Sequence, residues 1–137
     1  MRGASALQGV FEKHPTMRLK VLVVWLPVVP TDIAQPTKGV LARLHDSRAT
    51  QFWDEGRLTS KTIRSVVEKN PKWVKPKDQD LCWGQGVVWD FVAVFPEGAR
   101  WDEQIPPPDF YGYPVVRSIE GLEKRLDAVM PRVPPPT

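Results

Sequence analysis

The chain has 137 residues, 42% of them hydrophobic, which suits a single domain with one core. Its 19 basic and 16 acidic residues leave a net charge of +3, too small a surplus to indicate nucleic-acid binding by itself. A single cysteine, Cys82, excludes an intramolecular disulfide, a CxxC redox pair and a zinc site of several cysteines. Because no segment reads as a signal peptide or a membrane span, we expect a soluble, cytoplasmic protein with no membrane partner.

The first third of the chain predicts a helix, a core strand and a loop. Apolar residues at helical spacing predict a helix over residues 3–13, which Pro15 ends. Residues 19–26 are apolar on both faces and rich in β-branched side chains, as in a strand that is covered on each side. Three prolines then prevent regular pairing. Residues 39–53 are interpreted as short turns of helix.

The middle of the chain predicts a second helix and a second core strand. Thr59 and Ser60 are both suitable N-caps for a helix that ends before Pro71. Residues 71–82 are polar and contain prolines, which indicates a surface excursion. The apolar run at 87–95 predicts the second core strand.

The C-terminal part predicts one more strand and one more helix. A third strand is predicted over residues 113–117, after a triple proline. Ser118 is the predicted N-cap of a helix over 119–130, which carries apolar residues on one side. The chain is therefore interpreted as one domain over residues 1–131, followed by a proline-rich disordered tail at 132–137.

Three groups of motifs, in this order of elements, resemble a little-characterised group of bacterial thioredoxin-like proteins. The resemblance covers roughly residues 3–130. It implies an α/β fold, a thioredoxin-like three-layer sandwich with a mixed sheet that contains both core strands and lacks the first core strand of the family. The motifs are Val23–Asp32, Leu41–Leu44 with Gln51–Asp54, and Val87–Asp90 with Gly98–Asp102.

The chain departs from that family at two functional positions. Relatives of this kind carry a strand and a cysteine-containing turn before the first helix, where this chain has only Met1–Gly3. No proline stands directly before the second core strand, where thioredoxins place a cis-proline beside the active site. Because of these two departures, we interpret the chain as a thioredoxin-like binding or assembly module that is non-catalytic, has no dithiol redox activity and uses no cofactor.

The alternative is a thiol-dependent enzyme, or a truncated thiol-disulfide oxidoreductase, that uses Cys82. A lone thiol becomes an attacking nucleophile where a cation or a helix N-terminus lowers its pKa. The structural interpretation of Cys82 is that it serves as a small hydrophobic residue beside the core. The two histidines, His14 and His45, show no metal-binding spacing with Cys82, so we predict no metal site.

The segment from Arg57 to Lys77 contains seven basic residues and one acidic residue. Such a segment binds phosphate and, through a tryptophan, stacks a base; the alternative is an ordinary solvated surface. Because the whole chain is nearly neutral, the solvated surface is favoured and a nucleic-acid partner is not expected. The candidate binding residues are Lys61, Arg64, Lys72, Trp73 and Lys75.

The strand at 19–26 predicts self-association, because an apolar strand with an unpaired edge templates aggregation unless something covers it. Within the chain, the second core strand is one candidate partner. Between chains, two copies join their sheets or swap their N-terminal segments. The six tryptophans favour the second option, a homodimer, and leave a different protein partner open. The predicted interface lies in residues 1–30 and buries at least one of Val10, Phe11 and Trp25.

Overall fold

The computed structural model describes residues 2–29, 31, 34–78, 86–102 and 104–129. This part of the chain forms an α/β fold, as predicted. The predicted tail at 132–137 lies outside the described residues. The helices are α1 (Arg2–Lys13), α2 (Lys38–Leu41), α3 (Leu58–Lys69) and α4 (Val115–Val129), and the strands are β1 (Val21–Trp25), β2 (Ala49–Trp53), β3 (Val92–Val94) and β4 (Phe110–Gly112).

The strands form two separate two-stranded sheets rather than one mixed sheet. β1 and β2 are parallel, and Val21 lies opposite Ala49. β3 and β4 are antiparallel, and Val92 lies opposite Gly112. The expectation that residues 19–26 and 87–95 share a sheet is therefore wrong, because among the described residues β1 pairs with β2 and β3 pairs with β4.

β2 is the element that the sequence interpretation missed. Residues 39–53 were expected to form helical turns, but only α2 is helical and Ala49–Trp53 is a strand. Its residues alternate between half-buried and exposed positions, with Thr50 and Phe52 exposed. This alternation is that of a strand with one face on the core and one face in water.

The second core strand is shorter than predicted, because only Val92–Val94 of residues 87–95 is extended and paired. Asp90 has a left-handed backbone with φ of 51°, a conformation that interrupts a strand. Before it, Val88 donates its backbone N–H to the hydroxyl of Ser60 at 2.7 Å, a contact with a helix rather than a strand.

The predicted strand at 113–117 is wrong, because β4 ends at Gly112 and α4 begins at Val115. Ser118 therefore lies inside α4 and does not cap it. Asp90 takes that role, since the N–H of Val115 contacts its backbone oxygen at 3.1 Å and its carboxylate at 3.2 Å. A β-branched pair at the start of a helix was mistaken for a strand.

Two apolar clusters hold the elements together. The first lies between α1, α4 and one face of each sheet. The second lies between α3 and the opposite face of the β3–β4 sheet. The β3–β4 sheet is thus covered on both faces, and the β1–β2 sheet contributes to the first cluster only. The first cluster includes Val10, Phe11, Leu122, Leu126, Val21, Val23, Val92 and Val94, and the second Ile63, Val67, Trp73, Val88, Phe91, Phe95 and Tyr111.

Arg48 fastens the start of β2 to the end of α1. Its guanidinium donates to the backbone oxygens of Phe11, His14 and Met17 at 2.8–3.0 Å. It also holds both carboxylate oxygens of Asp46 at 2.7 and 2.8 Å. The hydrogen bond from Arg48 lowers the pKa of Asp46 to about 2.

The start of α3 is capped from a distance by Asp54. Its carboxylate accepts hydrogen bonds from the N–H groups of Leu58 at 2.9 Å and Thr59 at 2.8 Å. Burial raises the pKa of Asp54, but these two bonds, a hydrogen bond from the side chain of Thr59 and the charge of Lys61 together lower it below its usual value. The predicted capping by Thr59 or Ser60 is therefore wrong, since both lie within the helix.

Candidate functional site

The outer edge of β1 is the first feature of the β1–β2 sheet with functional potential. The hydrogen bonds at the two ends of the ladder join Val21 N–H to Arg48 and Trp25 C=O to Asp54. Because backbone groups alternate along a strand, Val21, Val23 and Trp25 face β2. Leu22 and Val24 therefore direct their N–H and C=O groups to the opposite edge. No strand lies on that edge within the described residues.

The outer face of the same sheet is apolar and exposed. Leu22 is 59% exposed and Phe52 is 49% exposed, whereas Val21 and Val23 contact the first cluster on the other face. Val24, beside Phe52, also lies on the outer face, since strand side chains alternate. α3 follows β2 directly but packs on the β3–β4 sheet. The outer face therefore has no helical layer in the described structure.

Trp25 ends β1 and is half-buried. Its indole N–H donates to the side-chain oxygen of Gln51 at 2.8 Å, and the amide of Gln51 donates to the backbone oxygens of Leu41 and Leu44. A small cavity of about 120 Å³ lies beside Trp25, Gln51 and Phe52. This network orients the indole ring at the C-terminal end of the β1 edge.

The predicted interface residues Val10 and Phe11 do not lie on the surface. Both are fully buried in the first cluster, on the inner face of α1. Their inward position follows from helical spacing, which also places Leu7 against the same cluster. Of the three interface residues, Trp25 alone keeps a partly exposed position from which a second copy of the folded chain can be contacted.

The predicted basic binding residues differ in their exposure and contacts. Lys61, Lys72 and Lys75 are exposed. Arg64 instead turns toward the backbone and donates to the oxygen of Gly86 at 2.6 Å. Arg64 therefore has a structural contact, and the role of the three exposed lysines stays a prediction.

Trp73 does not present its ring to solvent. It is only 4% exposed and belongs to the second cluster, where it stacks on Phe91 at 6.4 Å between ring centroids. Its indole N–H donates to the backbone oxygen of Pro106 at 3.2 Å. A stacking role for Trp73 on a base is therefore wrong, because the core already covers the ring.

Cys82 lies outside the described residues, so its role as a nucleophile stays a prediction. Among the residues that are described, no three His, Cys, Asp or Glu side chains come close enough to hold a metal ion.

A larger cavity, of about 300 Å³, lies between β4, the start of α4 and the turn at Asp78. Tyr111 bridges two of these parts, since its hydroxyl donates to Asp78 and accepts a bond from the N–H of Lys75 at 2.8 Å. Arg117 and Tyr113 also line the cavity. No local motif predicts this site, because Asp78 and Arg117 are far apart in the sequence and only the fold brings them together.

The comparisons with known proteins identify no relative. No protein-family model, no curated protein and no solved structure matches the chain. In the described part of the chain, none of the helices has the length and apolar character needed to cross a membrane.

Proposed function

We propose that this protein is a non-catalytic, thioredoxin-like binding module that assembles into a homodimer through the outer edge of β1. The single observation that carries the proposal is the free edge at Leu22 and Val24 next to an exposed apolar sheet face. An edge of this kind is a ready template for another strand. The module works in the cytoplasm, where a lone cysteine such as Cys82 stays reduced.

The thioredoxin-like part of the proposal is supported by the order of the layers. α1 and α4 share one cluster on one side of the strands, and α3 lies on the other side of the β3–β4 sheet. A sandwich of helix, sheet and helix layers has this distribution.

The homodimer part is supported by the register that two copies of β1 can form. An antiparallel pair about a twofold axis at Val23 places Leu22 opposite Val24 of the second copy. Both residues direct their backbone groups outward, so the pair exchanges both hydrogen bonds. In this register Lys20 lies opposite Leu26 of the second copy. A register shifted toward the N-terminus of β1 would instead bring the two Lys20 side chains close together, and like charges on opposite strands are destabilising.

The exposed face gives the second copy a further contact. In this register Leu22 and Val24 of one copy adjoin the same residues of the other on the outer face, and each Phe52 flanks the pair. The two sheets become one four-stranded sheet with a continuous apolar stripe. Cross-strand pairs of this type each contribute roughly 0.2–1 kcal/mol.

The test is the mass of the protein in solution as a function of concentration. Light scattering at micromolar concentrations is expected to give the mass of two chains for the native protein. Leu22→Lys puts a charge at the centre of the proposed interface, and because Leu22 is exposed in the single chain, the variant is expected to fold and remain a monomer.

Val116→Lys is the matched control. Val116 is also an exposed apolar residue, 41% exposed, but it lies on α4 away from the β1–β2 sheet. This variant should remain a dimer. A native protein that is monomeric over the whole concentration range overturns the homodimer proposal, as does a Leu22→Lys variant that dimerises as strongly as the control. Far-UV circular dichroism verifies that both variants are folded.

A further inference from the structure

The cavity between β4, α4 and Asp78 contains two opposite charges that do not neutralise each other. Asp78 and Arg117 both line it. Among the ion pairs of the described residues, which have N to O distances up to 4.0 Å, this pair is absent. Asp109, which directly precedes β4, forms its ion pair with Arg125, at 3.6 Å. The described part of the lining therefore offers one carboxylate, that of Asp78, and one guanidinium, that of Arg117, to a ligand.

The fold fixes the acidic end of the cavity. One carboxylate oxygen of Asp78 accepts the hydroxyl of Tyr111, and that hydroxyl is held in turn by the backbone of Lys75. The second carboxylate oxygen of Asp78 has no hydrogen-bond donor among the described residues. A carboxylate that is oriented on one oxygen and open on the other suits an ammonium group, which donates in several directions.

The floor of the cavity is formed by a close contact between β4 and α4. A side chain at Gly112 would collide with Ser118, and a Cβ at Gly121 would come within 2.9 Å of the Phe110 ring. The two glycines thus let the helix approach the strand. The rings of Phe110 and Tyr113 give the cavity an apolar part besides its two charged residues.

We infer that this cavity binds a free α-amino acid with an aromatic side chain, its ammonium group on Asp78, its carboxylate on Arg117 and its ring against Phe110 and Tyr113. Charge complementarity selects this class. A phosphate or a simple carboxylate is repelled by Asp78, and a simple amine is repelled by Arg117. A zwitterion satisfies both charges, and about 300 Å³ is at the small end of known ligand sites.

The test compares three probes of the same shape by calorimetry: L-phenylalanine, 3-phenylpropionate, which lacks the ammonium group, and phenethylamine, which lacks the carboxylate. We expect L-phenylalanine to bind with a dissociation constant below about 1 mM and at least tenfold more tightly than either of the others. In ¹⁵N NMR spectra the amides of Gly112, Ser118 and Gly121 should shift, because they line the site.

Two variants, each of which removes one charge from the cavity, should each remove the preference for L-phenylalanine over one of the other probes. Asp78→Asn removes the repulsion of an anion, so 3-phenylpropionate should then bind at least as well as L-phenylalanine. Arg117→Gln removes the repulsion of a cation, so phenethylamine should then bind at least as well as L-phenylalanine. Lys124→Gln is the matched control, since it removes a positive charge from the exposed side of α4 and should leave all three affinities unchanged.

Three results overturn the inference. They are the absence of saturable binding of L-phenylalanine, equal affinity for all three probes, and NMR shifts that leave Gly112 and Gly121 unmoved. None of these measurements depends on self-association through β1.

Discussion

Replacing Arg48 by methionine tests how the fold keeps β2 beside β1. The substitution removes three hydrogen bonds to the backbone oxygens of α1 and the following turn, and it leaves Asp46 without its partner. The two side chains are only 16% and 14% exposed, so water replaces these bonds poorly. Removing one partner of a buried ion pair lowers the free energy of unfolding by roughly 3–5 kcal/mol. That is a large share of the roughly 5–15 kcal/mol that stabilises an ordinary domain.

Urea unfolding followed by tryptophan fluorescence measures this effect. Arg48→Met should lower the midpoint by an amount that corresponds to about 3–5 kcal/mol, with an unchanged slope. Arg48→Lys should lose most of the same stability, because an ammonium group cannot reach the carboxylate and the carbonyls as a planar fork does. The double variant Arg48→Met with Asp46→Asn should be more stable than Arg48→Met alone, since it removes the unpaired charge. A loss below about 1 kcal/mol for Arg48→Met refutes the reasoning.

The same pair gives a dependence on pH with a defined sign. The pKa of Asp46 falls from 3.8 to about 2 in the folded protein. Its contribution to stability is therefore complete above pH 3.8 and is lost as the pH falls through about 2. The amount is about 1–2 kcal/mol, because the group keeps some contact with solvent. Asp46→Asn should remove this part of the acid transition; an acid transition identical to that of the native protein would contradict it.

Two further substitutions test packing. Ser60→Ala removes the buried acceptor for the N–H of Val88 and should cost about 1–3 kcal/mol in urea unfolding; a neutral effect would mean that this N–H finds another acceptor. Gly112→Ala places a methyl group against Ser118 and should cost about 1–3 kcal/mol, whereas Gly9→Ala, in an open position of α1, should stabilise the protein by about 0.5–1 kcal/mol. Equal melting temperatures for the two alanine variants would contradict the close contact between β4 and α4.

The sequence predicted the elements whose signal is local. α1, α3 and β1 carry apolar patterns of the correct period, and the prediction placed them within a few residues of Arg2–Lys13, Leu58–Lys69 and Val21–Trp25. β2 was missed because its inward face is made of Ala49, Gln51 and Trp53, which is not an obvious apolar stripe. Its stability comes from tertiary contacts, above all the hydrogen bonds of Arg48 and Gln51.

The errors near β3 and α4 have one cause. Asp90 adopts a left-handed backbone and also accepts the N–H of Val115, so a single residue interrupts the predicted strand before β3 and caps the start of α4. The sequence pattern around Asp90 predicts neither effect. The candidate sites were equally hidden: Trp73 looked like a surface aromatic among lysines but is buried, while the position of Asp78 and Arg117 in the lining of one cavity depends on the whole fold.

Hydrogen exchange at single amides tests the central claim most directly. Val23 and Trp25 face β2, so their amides should be protected at every protein concentration, whereas Leu22 and Val24 face the free edge. If two copies pair through β1, the amides of Leu22 and Val24 become protected as the concentration rises through the micromolar range. Exchange at Leu22 and Val24 that stays fast at every concentration, while Val23 remains protected, contradicts the proposed assembly.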